Sequence, residues 1–308
     1  MADEHESGPF RTALVRRGLL IPLGAEGVYG HGAAFEAVVN AVHDAITDVG
    51  SDQRATAVRL PPVYSAVDFA GTGYPQTFPH LGGVVSPFGF DIDARPAVDR
   101  AIAGPEAGQP VMPQSADLAL VPAACHPAYA MHRGAEIGEA RVLDVLGQCF
   151  RREPSQDPFR MQAFRQREYV YLGDPDGARA HRDRWVARSL EFLDRLGLDV
   201  APAAAADPFF GRGGRLLAAN QLAAGAKTEA VVALRLPGNG IDHAMVALAS
   251  CNYHGDHFGT AFGIKGPDGP VHTSCVGFGL ERVTLALLYC HGLEPVRWPG
   301  DVRKMLQL

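Results

Sequence analysis

Two arginine-bearing segments hold the residues whose types and spacing suit them to chemistry. The first runs Phe150-Arg151-Arg152-Glu153, through a Pro-Ser-Gln-Asp-Pro turn, to Phe159-Arg160-Met161-Gln162-Ala163-Phe164 and on to Arg167-Glu168. Alternate residues of a strand share a face, so Arg151 and Glu153 are expected to project together. A guanidinium fork suits a phosphate, a carboxylate accepts from an amino group, and Phe164 offers a stacking plane. Those are the three needs of a bent nucleotide. A cross-strand Arg–Glu pair on a solvated face is the plainer alternative, worth under about 1 kcal/mol.

The second segment is Gly277-Phe278-Gly279-Leu280-Glu281-Arg282, followed by the apolar run Val283 to Leu288. Its glycines permit close backbone approach, and a helix starting there carries Arg282 in its first turn. A helix N-terminus beside a guanidinium attracts anions. Taken alone the string also fits an ordinary glycine-initiated buried helix, with Glu281 as a cap. The five cysteines (Cys125, Cys149, Cys251, Cys275, Cys290) are odd in number and widely spaced. That fits thiols used singly in a reducing cytoplasm. Cys149 and Cys290 are expected to pack on a strand and a helix. The cluster Asn252-Tyr253-His254-Gly255-Asp256-His257 has short spacing, which fits a surface or substrate-proximal loop and competes as a metal group.

The elements that must position these residues follow from composition and pattern. With 308 residues, 47% hydrophobic and 20% charged, the chain holds ample apolar material for a core. A formal charge of −6 argues against a protein that grips phosphate backbones. No apolar run approaches the roughly 20 residues of a membrane helix. Ala33–Val49 is predicted as an amphipathic helix with Phe35, Val38, Val39, Val42 and Ile46 on one stripe. Ala55–Leu60 and Leu118–Val121 are predicted strands, Ala135–Leu146 a helix, and Phe164–Leu172 a strand. Gly177–Leu196 is a helix closed by Gly197. Thr228–Leu236, Ala244–Ser250 and Phe258–Ile264 are predicted strands, and Gly277–His291 a helix. Residues 71–89 are expected as loop or edge and 201–226 as irregular structure. Helices outside sequential strands, without βαβ alternation, point to an α+β fold with a mostly antiparallel sheet. One domain over 1–308 is expected, with the polar Met1–Gly8 frayed.

Together the two arginine segments resemble motifs 2 and 3 of class II aminoacyl-tRNA synthetases, most closely the seryl-tRNA synthetase catalytic domain. Phe150-Arg151-x-Glu153 with Phe164 and Glu168 matches motif 2, and Gly277-x-Gly279-x-x-Arg282 matches motif 3. Gly71-Thr72-Gly73-Tyr74-Pro75 resembles the segment after motif 1, whose proline is Pro61 or Pro62. Lys227-Thr228-Glu229 with Leu236-Pro237-Gly238 and Ser250-Cys251-Asn252 resemble the strands preceding motif 3. The resemblance implies that Arg151 and Arg282 are catalytic and that ATP is bound by Arg151, Glu153, Arg160, Met161, Phe164, Lys227 and Arg282. It implies substrate contacts from Glu168, Ser250 and Asn252. Its zinc-using branch places metal ligands at Cys125, Glu168 and Cys275. Mg²⁺ is implied with ATP. Where seryl enzymes carry a magnesium-binding glutamate before the serine, this chain has Val246-Ala247-Leu248-Ala249, which leaves the magnesium ligand unassigned.

No heptad run long enough for the seryl enzymes' coiled-coil arm occurs, so no tRNA partner is expected. The chain instead resembles amino acid:[carrier protein] ligases. These activate a small amino acid, glycine or alanine, and load it on the phosphopantetheine thiol of a carrier protein. A homodimer through motif 1 and a cytoplasmic location are the accompanying expectations. Arg179, Arg182, Arg184 and Arg188 offer one basic face for an acidic carrier, and Arg212 with Arg215 another; a merely solvated arginine face is the alternative. A silent synthetase paralogue and a compact aminoacyl-tRNA synthetase are the rival readings.

Overall fold

The computed structural model describes residues 8–85, 117–205, 225–234 and 244–308. Among them the β-branched and aromatic runs pair into a seven-stranded sheet. Its strands are β1 (Thr56–Leu60), β2 (Arg141–Phe150), β3 (Ala163–Gly173), β4 (Val200–Ala204), β5 (Lys227–Leu234), β6 (Ala244–Gly255) and β7 (His272–Gly279). The spatial order is β1-β2-β3-β7-β6-β5-β4. Only the β1–β2 pair is parallel; the rest are antiparallel. This is the expected α+β arrangement.

Three helices cover the back of the sheet: α1 (Ala33–Val49), α3 (Pro175–Arg195) and α5 (Leu280–His291). Phe35, Val42, Ile46, Trp185, Phe192 and Leu285 bury against Tyr169, Val276 and Phe278. Each such side chain contributes about 1.5–3 kcal/mol of transfer free energy. The front carries a smaller cluster, in which α2 (Cys125–Ala130) and α4 (His257–Phe262) press Tyr129, Phe258 and Phe262 onto Leu143, Val145, Val170 and Cys275. The rest of the front face is the floor of the site.

Helix α1 has the predicted bounds and stripe. Helix α3 starts at Pro175 because the Asp174 side chain accepts from Gly177 N at 2.8 Å, and it ends before Gly197 at φ +72°. Three expectations are corrected. Ala135–Leu146 is not a helix: Arg141–Phe150 is a central strand, and its near-continuous run Val142 to Leu146 imitates a helical stripe. Phe258–Ile264 is not a strand but the short helix α4, with Phe258 and Phe262 one turn apart on the core and Gly263 in the left-handed region. The predicted helix over Gly277–His291 begins only at Leu280, and Gly277–Gly279 closes the unforeseen strand β7. Within 71–89, Tyr74–Thr77 is a helical turn and Val84–Val85 an edge strand. Within 201–226, Val200–Ala204 is ordered as β4. Residues 1–7, 86–89, 206–224 (with Arg212 and Arg215) and 236–238 lie outside the described residues. Among those described, no helix is long and apolar enough to cross a membrane.

Polar groups lock the back face. Arg167, fully buried, forms two 2.6 Å bonds to Asp144 and donates to His43 and to Thr47 of α1. Removing one member of a buried ion pair strands the other. Asp144→Ala is therefore expected to lower unfolding free energy by about 3–5 kcal/mol, and Asp144→Leu with Arg167→Leu by less, measured by urea unfolding. Buried His181 contacts Ser274 Oγ at 3.0 Å, and burial, aided by Arg184 and Arg188, lowers its pKa to about 3. The folded chain keeps it neutral, whereas the unfolded chain protonates near pH 6.5. Stability contributed by this residue is thus present above pH 6.5 and lost on acidification towards pH 3, by about 1.4 kcal/mol per pH unit. His181→Gln should flatten the pH dependence of the unfolding free energy from urea titrations between pH 6 and 4 by that amount.

Candidate active site

Strand register gathers the site. Glu168 of β3 pairs with Gly277 of β7, which pairs with Ser250 of β6, which pairs with Glu229 of β5. One step along, Val170 pairs with Cys275, Cys275 with Asn252, and Asn252 with Lys227. Residues two apart share a face. Phe164, Gln166, Glu168, Cys275, Ser250, Asn252, Lys227 and Glu229 therefore stand on the front, while Arg165, Arg167 and Tyr169 face back.

Arg151 and Glu153 do not share a strand face as expected, since β2 ends at Phe150 and both lie in the following loop. The site still receives them. Arg151 donates from Nε to Pro122 O at 2.9 Å and lies 5.4 Å over the Phe164 ring. Arg282 sits in the first turn of α5 as expected, with Nε on Phe159 O at 2.9 Å and Nη1 on Ala247 O at 3.4 Å. Burial and the charge of Arg151 hold Arg282 below its ordinary pKa; it also feels Glu153, Arg160 and Glu229. Among the described residues neither Arg151 nor Arg282 is in an ion pair. Two guanidinium groups tied to carbonyls and set against each other form a ready anion site. Arg160 is mostly exposed and 3.9 Å from Asp157, and Met161 is buried in the core. Lys227 pairs with Glu229 at 3.1 Å. Glu281 does not cap α5: its carboxylate accepts from the Arg165 backbone and side chain at 2.8 and 2.7 Å.

The segment Val121–Cys125 stitches these parts together. Val121 O accepts from Phe150 N, Pro122 O from Arg151, while Ala124 N donates to Gln166 Oε1 and Cys125 N to Glu168 Oε1, both at 3.2 Å. The segment can lie this close because residue 147 is glycine; a Cβ there would stand 2.9 Å from the Ala124 Cβ.

At the other end of the face, Cys125, Glu168 and Cys275 are buried with ligand atoms all within 4.8 Å of one another. Cys125 heads α2, whereas Glu168 and Cys275 lie inside strands. A hydrogen bond with Cys275, burial and the nearby Glu168 push the Cys125 thiol well up. For Cys275 the bond from Cys125 acts downward, but burial and Glu168 outweigh it. Glu168 is raised chiefly by burial, against hydrogen bonds from both thiols. Three acidic groups that hinder one another's ionisation are what a divalent cation reverses. Two sulfurs and one carboxylate suit zinc with an open fourth position and exclude the hard cations. Cys290 is exposed, contrary to its expected packing role, and Cys149 is buried with its sulfur 3.1 Å from Gln166 Oε1.

The arginines of α3 are partly committed to structure. Arg188 grips Asp52 through two 2.6 Å bonds, Arg182 donates to Gly225 O at 2.7 Å, and Arg179 lies 4.8 Å over Tyr253. Gln166 and Tyr129 are site residues that the sequence expectations passed over. Gln166 was detectable as the residue two before Glu168, and Tyr129 as one helical turn after Cys125.

No family model matches the chain. Amino acid–[acyl-carrier-protein] ligase 1 of Bradyrhizobium diazoefficiens is 39% identical over 290 residues, covering 93% of this chain and 86% of the relative. Ligase 2 of the same organism is 38% identical over 290 residues, covering 93% and 84%. The solved M. kandleri seryl-tRNA synthetase, in complex with a tRNA, superposes with a TM-score of 0.79 at 21% identity, a likeness of fold. It covers 100% of this chain, which spans 62% of that structure's chain. With the class II synthetase fold and relatives this similar over most of its length, the chain belongs to the amino acid–[acyl-carrier-protein] ligase family.

Proposed function

We propose that this enzyme activates a small amino acid, glycine or alanine, with ATP and passes it from the adenylate to the phosphopantetheine thiol of a carrier protein. The observation that carries this reading is the front face itself, with two arginines held by backbone carbonyls at one end and a Cys–Glu–Cys group at the other. Arg151 neutralises the α-phosphate and Arg282 the far end of a bent triphosphate, Glu153 accepts from the adenine amino group, and Phe164 supports the base. Lys227 and Arg160 take the pyrophosphate side. Mg²⁺ accompanies the phosphates. Cys125, Glu168 and Cys275 would hold zinc, which supplies a Lewis-acid anchor for the substrate's α-amine. An amino acid with its amine at that group would point its carboxylate along the sheet towards Arg151, the orientation that in-line attack on the α-phosphorus requires. Asn252, Ser250 and Tyr129 wall the amine end and favour a small side chain. The names of the Bradyrhizobium relatives support the carrier protein as acceptor. A homodimer through α1 and β1 completes the reading.

Pyrophosphate exchange with an amino-acid panel tests it: glycine or alanine should support exchange, and Arg151→Ala and Arg282→Ala should each reduce it about 100-fold or more. Exchange with no amino acid, or transfer to tRNA in preference to holo carrier protein, would refute the assignment. Metal analysis of protein prepared without chelator should find about one zinc per chain, absent in Cys275→Ala.

A further inference from the structure

The histidine-containing run 252–257 has no part in the mechanism above beyond Asn252, yet its first histidine meets the cysteine cluster. We infer that His254 is a positioning residue for the bound metal, acting as a hydrogen-bond donor to the Cys275 sulfur. The inference rests on the metal reading of the Cys125, Glu168 and Cys275 group.

His254 stands at the bulge where β6 leaves register with β7, between Tyr253 and Gly255. Two residues after Asn252, it lies on the same front face, aimed at the cluster. Nδ1 faces two hydroxyls, Thr273 Oγ1 at 3.2 Å and Tyr129 Oη at 3.4 Å, on residues with no solvent exposure. With Nδ1 accepting from either hydroxyl, the proton stands on Nε2. Nε2 lies 3.8 Å from Cys275 Sγ. The ring is held edge-on to Phe258 at 5.0 Å, and Phe258 in turn stacks on Tyr129 at 4.1 Å.

Asn252 Nδ2 reaches the same sulfur at 3.7 Å. Cys275 thus collects two N–H donors, while the side-chain partners of Cys125 are the other two members of the cluster. Hydrogen bonds to a metal-bound sulfur withdraw charge from it and fix its direction. The two thiolates are therefore unequal: Cys125 is the stronger donor, and Cys275 leaves more positive charge on the metal for the substrate amine.

Cobalt(II) titration of metal-free protein, followed by the sulfur-to-cobalt charge-transfer band, reads this without activity. His254→Asn keeps an amide near the two hydroxyls but does not reach the sulfur. It should weaken Co²⁺ binding about 10- to 100-fold and move the band to lower energy. His254→Gln places an N–H near the Nε2 position and should restore band and affinity towards wild type. Should the asparagine variant not fold, His254→Ala takes its place. Wild-type affinity and an unmoved band in the variant lacking the donor overturn the inference, as does a glutamine variant no better than asparagine. If the wild-type chain itself takes up no cobalt, the metal reading fails and His254 loses its role with it.

Discussion

Everything in the site depends on the antiparallel register of β3, β7 and β6. Strand side chains alternate with a period of two, so a slip of one residue would exchange the faces. Arg167 and Tyr169 would then enter the cavity, and Glu168 would meet the apolar helices. The register is held from behind: Arg165 to Glu281 and Glu36, Arg167 to Asp144, and Tyr169 stacked 4.6 Å from Trp185. The half of motif 2 that does no chemistry thus fixes where the other half points.

The front face gathers groups of one kind at each end. Arginines crowd at one and acidic groups at the other, and each crowd opposes folding on its own. The apolar back face, with α1, α3 and α5 sealed on it, offsets that cost. On the proposed reading, this polarity along one sheet matches an amino acid lying head to tail with a triphosphate, amine at the acidic end and phosphates at the basic end. Electrostatic complementarity of this kind acts before any bond changes.

Much of this was legible in the sequence. Helix α1 and most of α3 followed from their apolar stripe and end residues, and Arg282 fell in the first turn its glycines suggested. The cysteine–glutamate group was not legible from spacing, because residues 125, 168 and 275 meet only through cross-strand pairing and the docking of α2. It came from resemblance alone. Strand β2 was missed because a strand buried on both faces loses its alternation, and α4 because one short turn of aromatic residues reads equally as a strand. His254 lay in a cluster whose spacing marked it as a loop, whereas it stands at the bulged end of β6 with its ring against the cysteine cluster.

The stitched segment Val121–Cys125 has its own consequence. Pro122 holds Arg151 near one end, and Cys125 supplies both a thiol and a backbone N–H on Glu168 at the other. The span between Arg151 and the cysteine cluster is therefore set by main-chain bond lengths more than by pliable side chains. That makes the segment a ruler: on the proposed reading it gauges the gap across which carboxylate and phosphorus meet, and no substitution of a single side chain resets its length.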